Sequence, residues 1–174
     1  VIQLLFEKIQ QIDSKNALPV AFLVSNETQF IVEEHLQGTS YPYEFVLQNS
    51  WPVLTHDKTL YLQNGSPCFA PSGNGLAPQH LINQGFIERW ASKGVKYIAF
   101  VLIDNPLIDL GDLCFWQEVE QQAPQIALKA IERKPFESVG ALCFKKERIE
   151  LLEAAWFALA QEENFNEKCT PWFS

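Results

Sequence analysis

A strand-length apolar run that leads directly into a helix start constrains this chain more than any other stretch. Residues 19–24 read Pro-Val-Ala-Phe-Leu-Val, the pattern of a strand that is buried on both faces, as in a parallel sheet. Residues 25–28, which read Ser-Asn-Glu-Thr, then offer N-cap candidates for a helix, and the helical stretch stops at Gly38. A strand followed by a helix is the unit of α/β folds, so the sequence predicts that class.

Other stretches of the chain predict more elements of both kinds. Apolar residues recur at helical spacing from Ile2 to Ile12 and from Leu81 to Trp90, where Lys93-Gly94 gives the stop. The remaining predicted elements are strands at 44–48, 59–62, 96–103 and 125–131, helices at 113–119 and 154–161, and a hairpin of 139–144 with 149–152. We therefore expect a three-layer α/β/α sandwich with a mostly parallel sheet.

Length, composition and charge limit the class of protein. The chain has 174 residues, of which 47% are hydrophobic, and this fits one domain that buries roughly 70% of its unfolded surface. A net charge of -8 without a basic stripe argues against a nucleic-acid partner. Apolar runs fall short of the roughly 18 residues that span a bilayer, so we expect no membrane partner. The widely spaced cysteines suggest no disulfide framework, so a reducing cytoplasm is the expected location. The oligomeric state is not predicted.

Cysteines and histidines show no metal-binding pattern in this sequence. The four cysteines include no C-x-x-C pair, and the three histidines share no H-x-x-x-H spacing. Structural or solvent-exposed roles are therefore expected for His35, His56 and His80. Any metal ion would have to be held by oxygen atoms.

A glycine turn at residues 70–76, which read Ala-Pro-Ser-Gly-Asn-Gly-Leu, is the candidate functional feature. Glycines on both sides of Asn74 allow positive φ and carry no Cβ, so main-chain amides can approach a flat base or a phosphate closely. An ordinary turn would use the same residues. Polar Gln48 and Asp104 end two predicted strands, and ligands of open α/β sheets bind at such ends, so we expect a site there.

Several motifs, in a fixed order over most of the chain, resemble the eukaryotic-type UDP-sugar pyrophosphorylases, most closely the UDP-N-acetylglucosamine pyrophosphorylase branch. That family carries P-x-G-N-G-G, V-D-N-x-L, K-x-x-x-R/K-x-P-x-E-x-V-G and V-E-Y. The counterparts here are residues 71–75, 103–107, 129–140 and 152–153. Residues 23–25 and 48–52 resemble the upstream M-T-S and Q-G-x-x-P of the family.

The resemblance implies a Rossmann-like nucleotide-diphospho-sugar transferase fold and a uridylyltransferase. UTP and a sugar 1-phosphate, either N-acetylglucosamine 1-phosphate or glucose 1-phosphate, would give a UDP-sugar and pyrophosphate with the help of Mg²⁺. Uridine binding is implied for Gln48, Pro71, Gly73, Asn74 and Gly75. Catalytic roles are implied for Asp104, which is also the metal ligand, and for Lys129 and Arg133. Sugar binding is implied for Asn105, Glu137, Gly140 and Glu153.

The chemistry of these side chains suits the implied roles. Uracil presents an acceptor, a donor and an acceptor on its pairing edge, so the Gln48 amide can both donate to it and accept from it. Asp104 is a hard oxygen ligand for Mg²⁺, and the alternative is a turn residue at a strand end. Lys129 and Arg133 would share one face of a strand and could neutralise developing charge, or could be surface cations. Trp51 and Trp90 are predicted to lie in the core.

Departures from the family pattern keep a second interpretation open. The family's G-x-G-T-R-x-G and P-K signature is absent, so we expect one partial catalytic domain without the N-terminal strand and triphosphate loop. Leu76 stands where the family usually has glycine, and Ala154 replaces the tyrosine of V-E-Y. A noncatalytic nucleotide-sugar-binding domain is therefore the alternative function.

Overall fold

The computed structural model describes residues 2–130, 141–145 and 148–152. Packing divides the chain into two compact units, Val1–Leu113 and Cys114–Ser174. The helices are α1 (Ile2–Ile12), α2 (Asn26–His35), α3 (Ala77–Asn83), α4 (Phe86–Ser92) and α5 (Leu113–Gln122). The strands are β1 (Ala21–Val24), β2 (Glu44–Leu47), β3 (Ser50–Pro52), β4 (Leu62–Gln63), β5 (Ser66–Pro67), β6 (Phe69–Pro71), β7 (Ala141–Lys145) and β8 (Arg148–Leu152). The prediction of a single domain stays a prediction.

The strand–helix unit predicted from residues 19–38 is present. β1 pairs in parallel with β2 along its whole length. Ser25 follows β1 directly and caps α2, because its hydroxyl accepts a hydrogen bond of 3.2 Å from the Thr28 N–H. The Thr28 hydroxyl in turn accepts a bond of 2.9 Å from the Ser25 N–H, which completes a capping box. The α/β class is confirmed.

Side chains of the parallel pair feed two separate apolar clusters. Phe22 and Phe45 pack on one cluster, whose buried members are Phe6 of α1 with Leu36 and Tyr41. Leu23 and Val46, the next residues of β1 and β2, belong to the other cluster, whose remaining buried members are Leu81, Phe86 and Trp90 of α3 and α4. Successive side chains of a strand point to opposite faces, so helices pack on both faces of this pair.

The sheet content differs from the prediction in extent. The described residues form four two-stranded ladders, of which β1–β2 is parallel and β3–β6, β4–β5 and β7–β8 are antiparallel. The β7–β8 pair confirms the predicted hairpin. The larger, mostly parallel sheet stays a prediction, and the helix predicted at 154–161 lies outside the described residues.

Three predicted strands differ from the described structure in position or in pairing. The strand predicted at 59–62 is β4, which begins only at Leu62, and Leu60 makes a single bridge to Leu54. Residues 96–103 and 125–130 form no strand with the described part of the chain. Apolar composition favours burial, but a strand also requires a neighbouring backbone to receive its hydrogen bonds.

The helix predicted from Leu81 to Trp90 is interrupted at Gly85. This glycine has φ 71° and a left-handed conformation, so α3 ends before it and α4 begins after it. The predicted stop at Gly94 is confirmed, with φ 87° after the last turn of α4. The helix predicted at 113–119 is confirmed as α5. No helix in the described parts of the chain is long and apolar enough to cross a membrane.

The loop after α1 is held by the carboxylate of Asp13. Its Oδ2 accepts hydrogen bonds of 2.7 Å from the Leu18 N–H and 2.7 Å from the hydroxyl of Tyr41, which is only 1% exposed. The Leu18 N–H first, and then the Tyr41 hydroxyl, lower the pKa of Asp13. Burial first, and then the adjacent carboxylate, raise the pKa of Tyr41, so its hydroxyl remains a donor at neutral pH.

We predict that Asp13→Asn lowers the melting temperature at pH 7 and that this difference shrinks in acid. A carboxylate whose pKa is lower in the folded state stabilises the fold above its ordinary pKa of 3.8 and loses that contribution as the pH falls through the folded value. Thermal unfolding between pH 7 and pH 2.5 measures it. Asp57→Asn, at an exposed turn carboxylate, is the control, and a difference for Asp13→Asn that persists at the lowest pH would contradict the prediction.

Candidate functional site

The glycine turn lies beside the carboxyl end of β2 because β3 and β6 pair with each other. After β2 the chain continues through Gln48 and Asn49 into β3, and Ser50 of β3 lies opposite Pro71 of β6. β6 therefore runs back toward the residues that follow β2. The glycine turn therefore lies at the end of the parallel pair, where α/β proteins bind ligands.

Two hydrogen bonds join the glycine turn to the residues after β2. The Ser72 N–H donates to the carbonyl of Asn49 at 2.8 Å, and the Gly73 N–H donates to Oε1 of Gln48 at 3.0 Å. Gln48 and Gly73 were predicted to bind the same ligand, and the structure places them in direct contact. Pro71, Asn74 and Gly75 are exposed along the same turn.

Position 73 requires glycine because of its backbone conformation and not because a side chain would clash. Its φ of 86° and ψ of 169° lie in a region that side-chain-bearing residues adopt only with strain. A Cβ added there would meet no atom within 4 Å, so this side of the turn is open. Gly75 lies in a 3₁₀ turn (Asn74–Leu76) without positive φ, and the expectation that both glycines use this freedom holds only for Gly73.

The hydrogen bond to Gly73 decides which part of the Gln48 amide faces a ligand. Its oxygen is engaged by the Gly73 N–H, so the Nε2 amino group is the part that can donate to a ligand carbonyl. The side chain is half-buried, which limits its freedom to rotate. The arrangement suits a ligand with a carbonyl oxygen in the plane of a flat ring.

Residues of α3 and of the turn after it support this region, and sequence reasoning missed them. His80 is 3% exposed, and its Nε2 shares a hydrogen bond of 3.0 Å with the Ser72 hydroxyl. Gln84 accepts from the Leu47 N–H at 3.1 Å and donates to the Leu47 carbonyl at 2.7 Å. The sequence contains a signal for the burial of His80, because Ala77, His80 and Leu81 share one helix face. It contains no signal for the role of Gln84.

An ion pair adds to the contact between β2 and α4. Arg89 lies 2.6 Å from the Glu44 carboxylate and 4.2 Å from the ring centroid of Phe86. The two side chains of the pair are 46% and 43% exposed, so the pair contributes at most about 1 kcal/mol. It therefore supports the position of β2 only weakly.

Asp104 and Asn105 lie in an exposed turn of the first unit. Oδ1 of Asn105 accepts a hydrogen bond of 3.2 Å from the Leu107 N–H, so this side chain shapes its own turn. Lys8 of α1 anchors the following residues, with its Nζ donating to the carbonyls of Pro106 at 2.6 Å and Ile108 at 2.9 Å. Asp104 is thus a solvent-facing carboxylate on an anchored loop.

Oxygen ligands for a metal ion are sparse in this region. No group of three or more His, Cys, Asp or Glu side chains within residues 2–130, 141–145 and 148–152 could hold a metal. Mg²⁺ commonly binds through only one or two carboxylates together with substrate phosphates. A single carboxylate such as Asp104 fits that mode and does not fit a site made of protein atoms alone.

Other predicted residues belong to the second unit or lie outside the described residues. Lys129 is exposed, with its Nζ 5.4 Å from the ring centroid of Phe115. Residues 125–130 form no strand with the described part of the chain and Arg133 lies outside it, so the shared strand face of Lys129 and Arg133 stays a prediction. The predicted residues that lie outside the described residues are Arg133, Glu137, Gly140 and Glu153.

The two tryptophans that were predicted to lie in the core differ in their environment. Trp90 is 5% exposed and belongs to the cluster of α3 and α4, as predicted. Trp51 is 56% exposed, so the prediction is wrong for this residue. It lies on β3, a strand of three residues that are all exposed, and a narrow two-stranded ladder gives an aromatic ring little surface to pack on.

Comparisons with known proteins agree on one family. The sequence matches the profile of UTP–glucose-1-phosphate uridylyltransferase over residues 1–171. It is 30% identical over 101 residues to a Dictyostelium discoideum protein that is assigned as a UDP-N-acetylglucosamine pyrophosphorylase, a match that covers 56% of this chain and 21% of the relative. The chain therefore spans about a fifth of that relative's length.

A solved structure is similar in fold. The crystal structure of an Entamoeba histolytica protein, also assigned as a UDP-N-acetylglucosamine pyrophosphorylase, matches with a TM-score of 0.65 and 24% identity. The match covers 78% of this chain and 36% of that one. At this identity the likeness concerns the fold alone.

We predict that Gly73→Ala lowers the free energy of unfolding by about 1–3 kcal/mol, because alanine must adopt a strained backbone conformation there. Gly75→Ala is the matched control, since Gly75 has no positive φ and a Cβ there would also meet no atom within 4 Å. Its effect should stay within about 1 kcal/mol and could be stabilising. Chemical denaturation of both variants measures the difference, and equal effects would refute the assigned role of Gly73.

Proposed function

Because the chain belongs to the UTP–glucose-1-phosphate uridylyltransferase family, we propose that the protein transfers a uridylyl group from UTP to a sugar 1-phosphate, giving a UDP-sugar and pyrophosphate. The sugar 1-phosphate is N-acetylglucosamine 1-phosphate or glucose 1-phosphate. The observation that carries the proposal is the contact between Gln48 and Gly73 at the end of the parallel pair. The protein acts in the cytoplasm.

The packing of the first unit supports the finer fold. Helices on both faces of β1 and β2 form three layers around a parallel pair, as in a Rossmann-like nucleotide-diphospho-sugar transferase fold. In that fold β1 and β2 belong to a larger, mostly parallel sheet. The glycine turn then occupies the ligand-binding edge.

The uridine base binds against the glycine turn in this proposal. The Nε2 group of Gln48 donates to a carbonyl of uracil, because the oxygen of the same amide is held by the Gly73 N–H. The open side of Gly73 lets the flat ring approach the main chain without meeting a side chain. Pro71, Asn74 and Gly75 line the exposed turn and contact the base or the ribose.

Asp104 would hold the metal ion that serves the phosphates. Mg²⁺ held there together with substrate oxygens would neutralise charge that develops on the leaving pyrophosphate. The Lys8 contacts keep the loop that follows Asp104 in place, so the carboxylate is presented from a fixed backbone. Transfer of this kind depends mainly on positioning and on nearby cations.

Roles in binding the phosphates and the sugar are proposed for the remaining predicted residues. Lys129 and Arg133 supply positive charge to the phosphates, while Asn105, Glu137, Gly140 and Glu153 contact the sugar hydroxyls. For Asn105 the amide Nδ2 is the group that remains for this role, because Oδ1 accepts the Leu107 N–H. UTP and the sugar 1-phosphate are the partners, with no nucleic acid or membrane.

A binding domain without catalysis is the second candidate function. Leu76 favours it, because its half-buried side chain occupies the last position of the turn, directly before α3. A residue with a Cβ at this position leaves less room for a ligand than the family's usual glycine. A protein of this kind would bind a nucleotide sugar and release no pyrophosphate.

We predict that Asp104→Asn lowers pyrophosphate release by the whole protein at least about 100-fold and changes UTP affinity less than about threefold. Asparagine keeps the size of the side chain but removes its charge. Pyrophosphate release and UTP binding are measured over a Mg²⁺ titration, at matched thermal stability, with Asp57→Asn as the control.

The outcomes of this experiment separate the two functions. Unchanged turnover in Asp104→Asn would remove this residue from the mechanism. No turnover by the wild type, together with measurable binding of UDP-sugars, would favour the binding domain. No binding of UTP or UDP-sugars by the whole protein would overturn both.

A further inference from the structure

His80 of α3 and Gln84, which follows that helix, form hydrogen bonds with the residues that immediately precede Gly73 and Gln48. Ser72 precedes Gly73 and shares its hydroxyl hydrogen bond with His80 at 3.0 Å. Leu47 precedes Gln48 and exchanges two hydrogen bonds with the Gln84 side chain, at 3.1 and 2.7 Å.

The Gln84 side chain bonds to the main chain of Leu47 in the way that a neighbouring strand would. In β2 the N–H groups of Glu44 and of Gln48, the residue just after the strand, donate to β1 and its flank. The N–H and carbonyl of Leu47 point the other way, and Gln84 satisfies both with one side-chain amide. Gln84 can reach this edge because Gly85 ends α3 and turns the chain at that point.

The contact to Ser72 comes from inside the core. His80 is 3% exposed and lies on the same face of α3 as Ala77 and Leu81, which are also buried. A ring packed in this way has little freedom to move, so its hydrogen bond holds the Ser72 hydroxyl in one place. The Ser72 N–H is fixed at the same time by the Asn49 carbonyl, at 2.8 Å.

We propose that His80 and Gln84 are positioning residues that together set the distance between Gln48 and Gly73, and thereby the affinity for a uridine nucleotide. We call these two residues the α3 clamp. The proposal rests on the proposed function for its ligand, and neither residue is assigned a contact with that ligand. Loss of either contact would let the strand end and the glycine turn move apart before the base binds, so part of the binding energy would be spent on bringing them together.

Gln84→Ala tests the clamp first, because Gln84 is exposed and its removal leaves no cavity. We expect the dissociation constant for UTP to rise about tenfold in calorimetry with the whole protein. We also expect hydrogen exchange of the Gly73 amide, followed by NMR without nucleotide, to become about tenfold faster. Gln79→Ala is the matched control, since among the described residues the Gln79 side chain donates to Asn83 of the same helix, at 2.8 Å, and it should change neither quantity.

His80 is tested as a pair of variants. His80→Leu removes the hydrogen bond and should weaken UTP binding about tenfold, whereas His80→Gln offers an amide at the same reach and should recover most of that loss. Ser72→Ala combined with His80→Leu should cost no more affinity than either change alone, because both remove the same bond. A purely structural role would lower thermal stability without rescue of affinity by glutamine.

The two readouts keep the clamp separate from the proposed function. If the wild type fails to bind UTP while Gln84→Ala still accelerates hydrogen exchange at the Gly73 amide, the proposed function fails. The conclusion that the α3 clamp holds Gln48 and Gly73 together then stands without its effect on affinity. If UTP binds but neither Gln84→Ala nor His80→Leu changes its affinity or the exchange of Gly73, the clamp is refuted and the proposed function stands.

Discussion

The parallel pairing of β1 with β2 is the constraint on which the first unit depends. Because side chains alternate across a strand, Phe22 and Phe45 face one apolar cluster while Leu23 and Val46 face the other. A shift of one residue in the register of β2 would exchange these faces and expose both clusters. Helices α1 and α2 on one side, and α3 and α4 on the other, therefore hold this register as much as the hydrogen bonds do.

The candidate site follows from where that pair ends. The carboxyl end of β2 carries Gln48, the β3–β6 ladder returns the chain to it, and the Gly73 N–H closes the contact. Gln84 then occupies the free edge of Leu47, so the helix layer reaches the strand end itself. The same packing that buries Leu81 and Trp90 thus places polar groups beside a flat, open turn.

Local signals in the sequence predicted the elements and residues that depend on nearby neighbours. The helix start near Ser25, the stop at Gly94 and the positive φ of Gly73 are set by backbone conformation within a few residues. The contact of Gln48 with Gly73 was anticipated because both end elements at one sheet edge. Features that depend on distant partners were missed or stay predictions: residues 96–103 have the composition of a strand but no pairing with the described residues, and Gln84 reaches Leu47 across the chain. The periodicity of apolar residues in a sequence does not identify such partners.

We propose that the Gln48 amide, oriented by Gly73, recognises uracil. The most direct test is calorimetry of UTP with the whole protein as wild type and as Gln48→Glu, which keeps an oxygen for the Gly73 N–H but replaces the donor with a second oxygen. Gln79→Glu, with the same change in charge on exposed helix surface, is the control. The account predicts that UTP affinity falls about tenfold or more in Gln48→Glu and stays near the wild-type value in the control. Equal affinity of wild type and Gln48→Glu would contradict it.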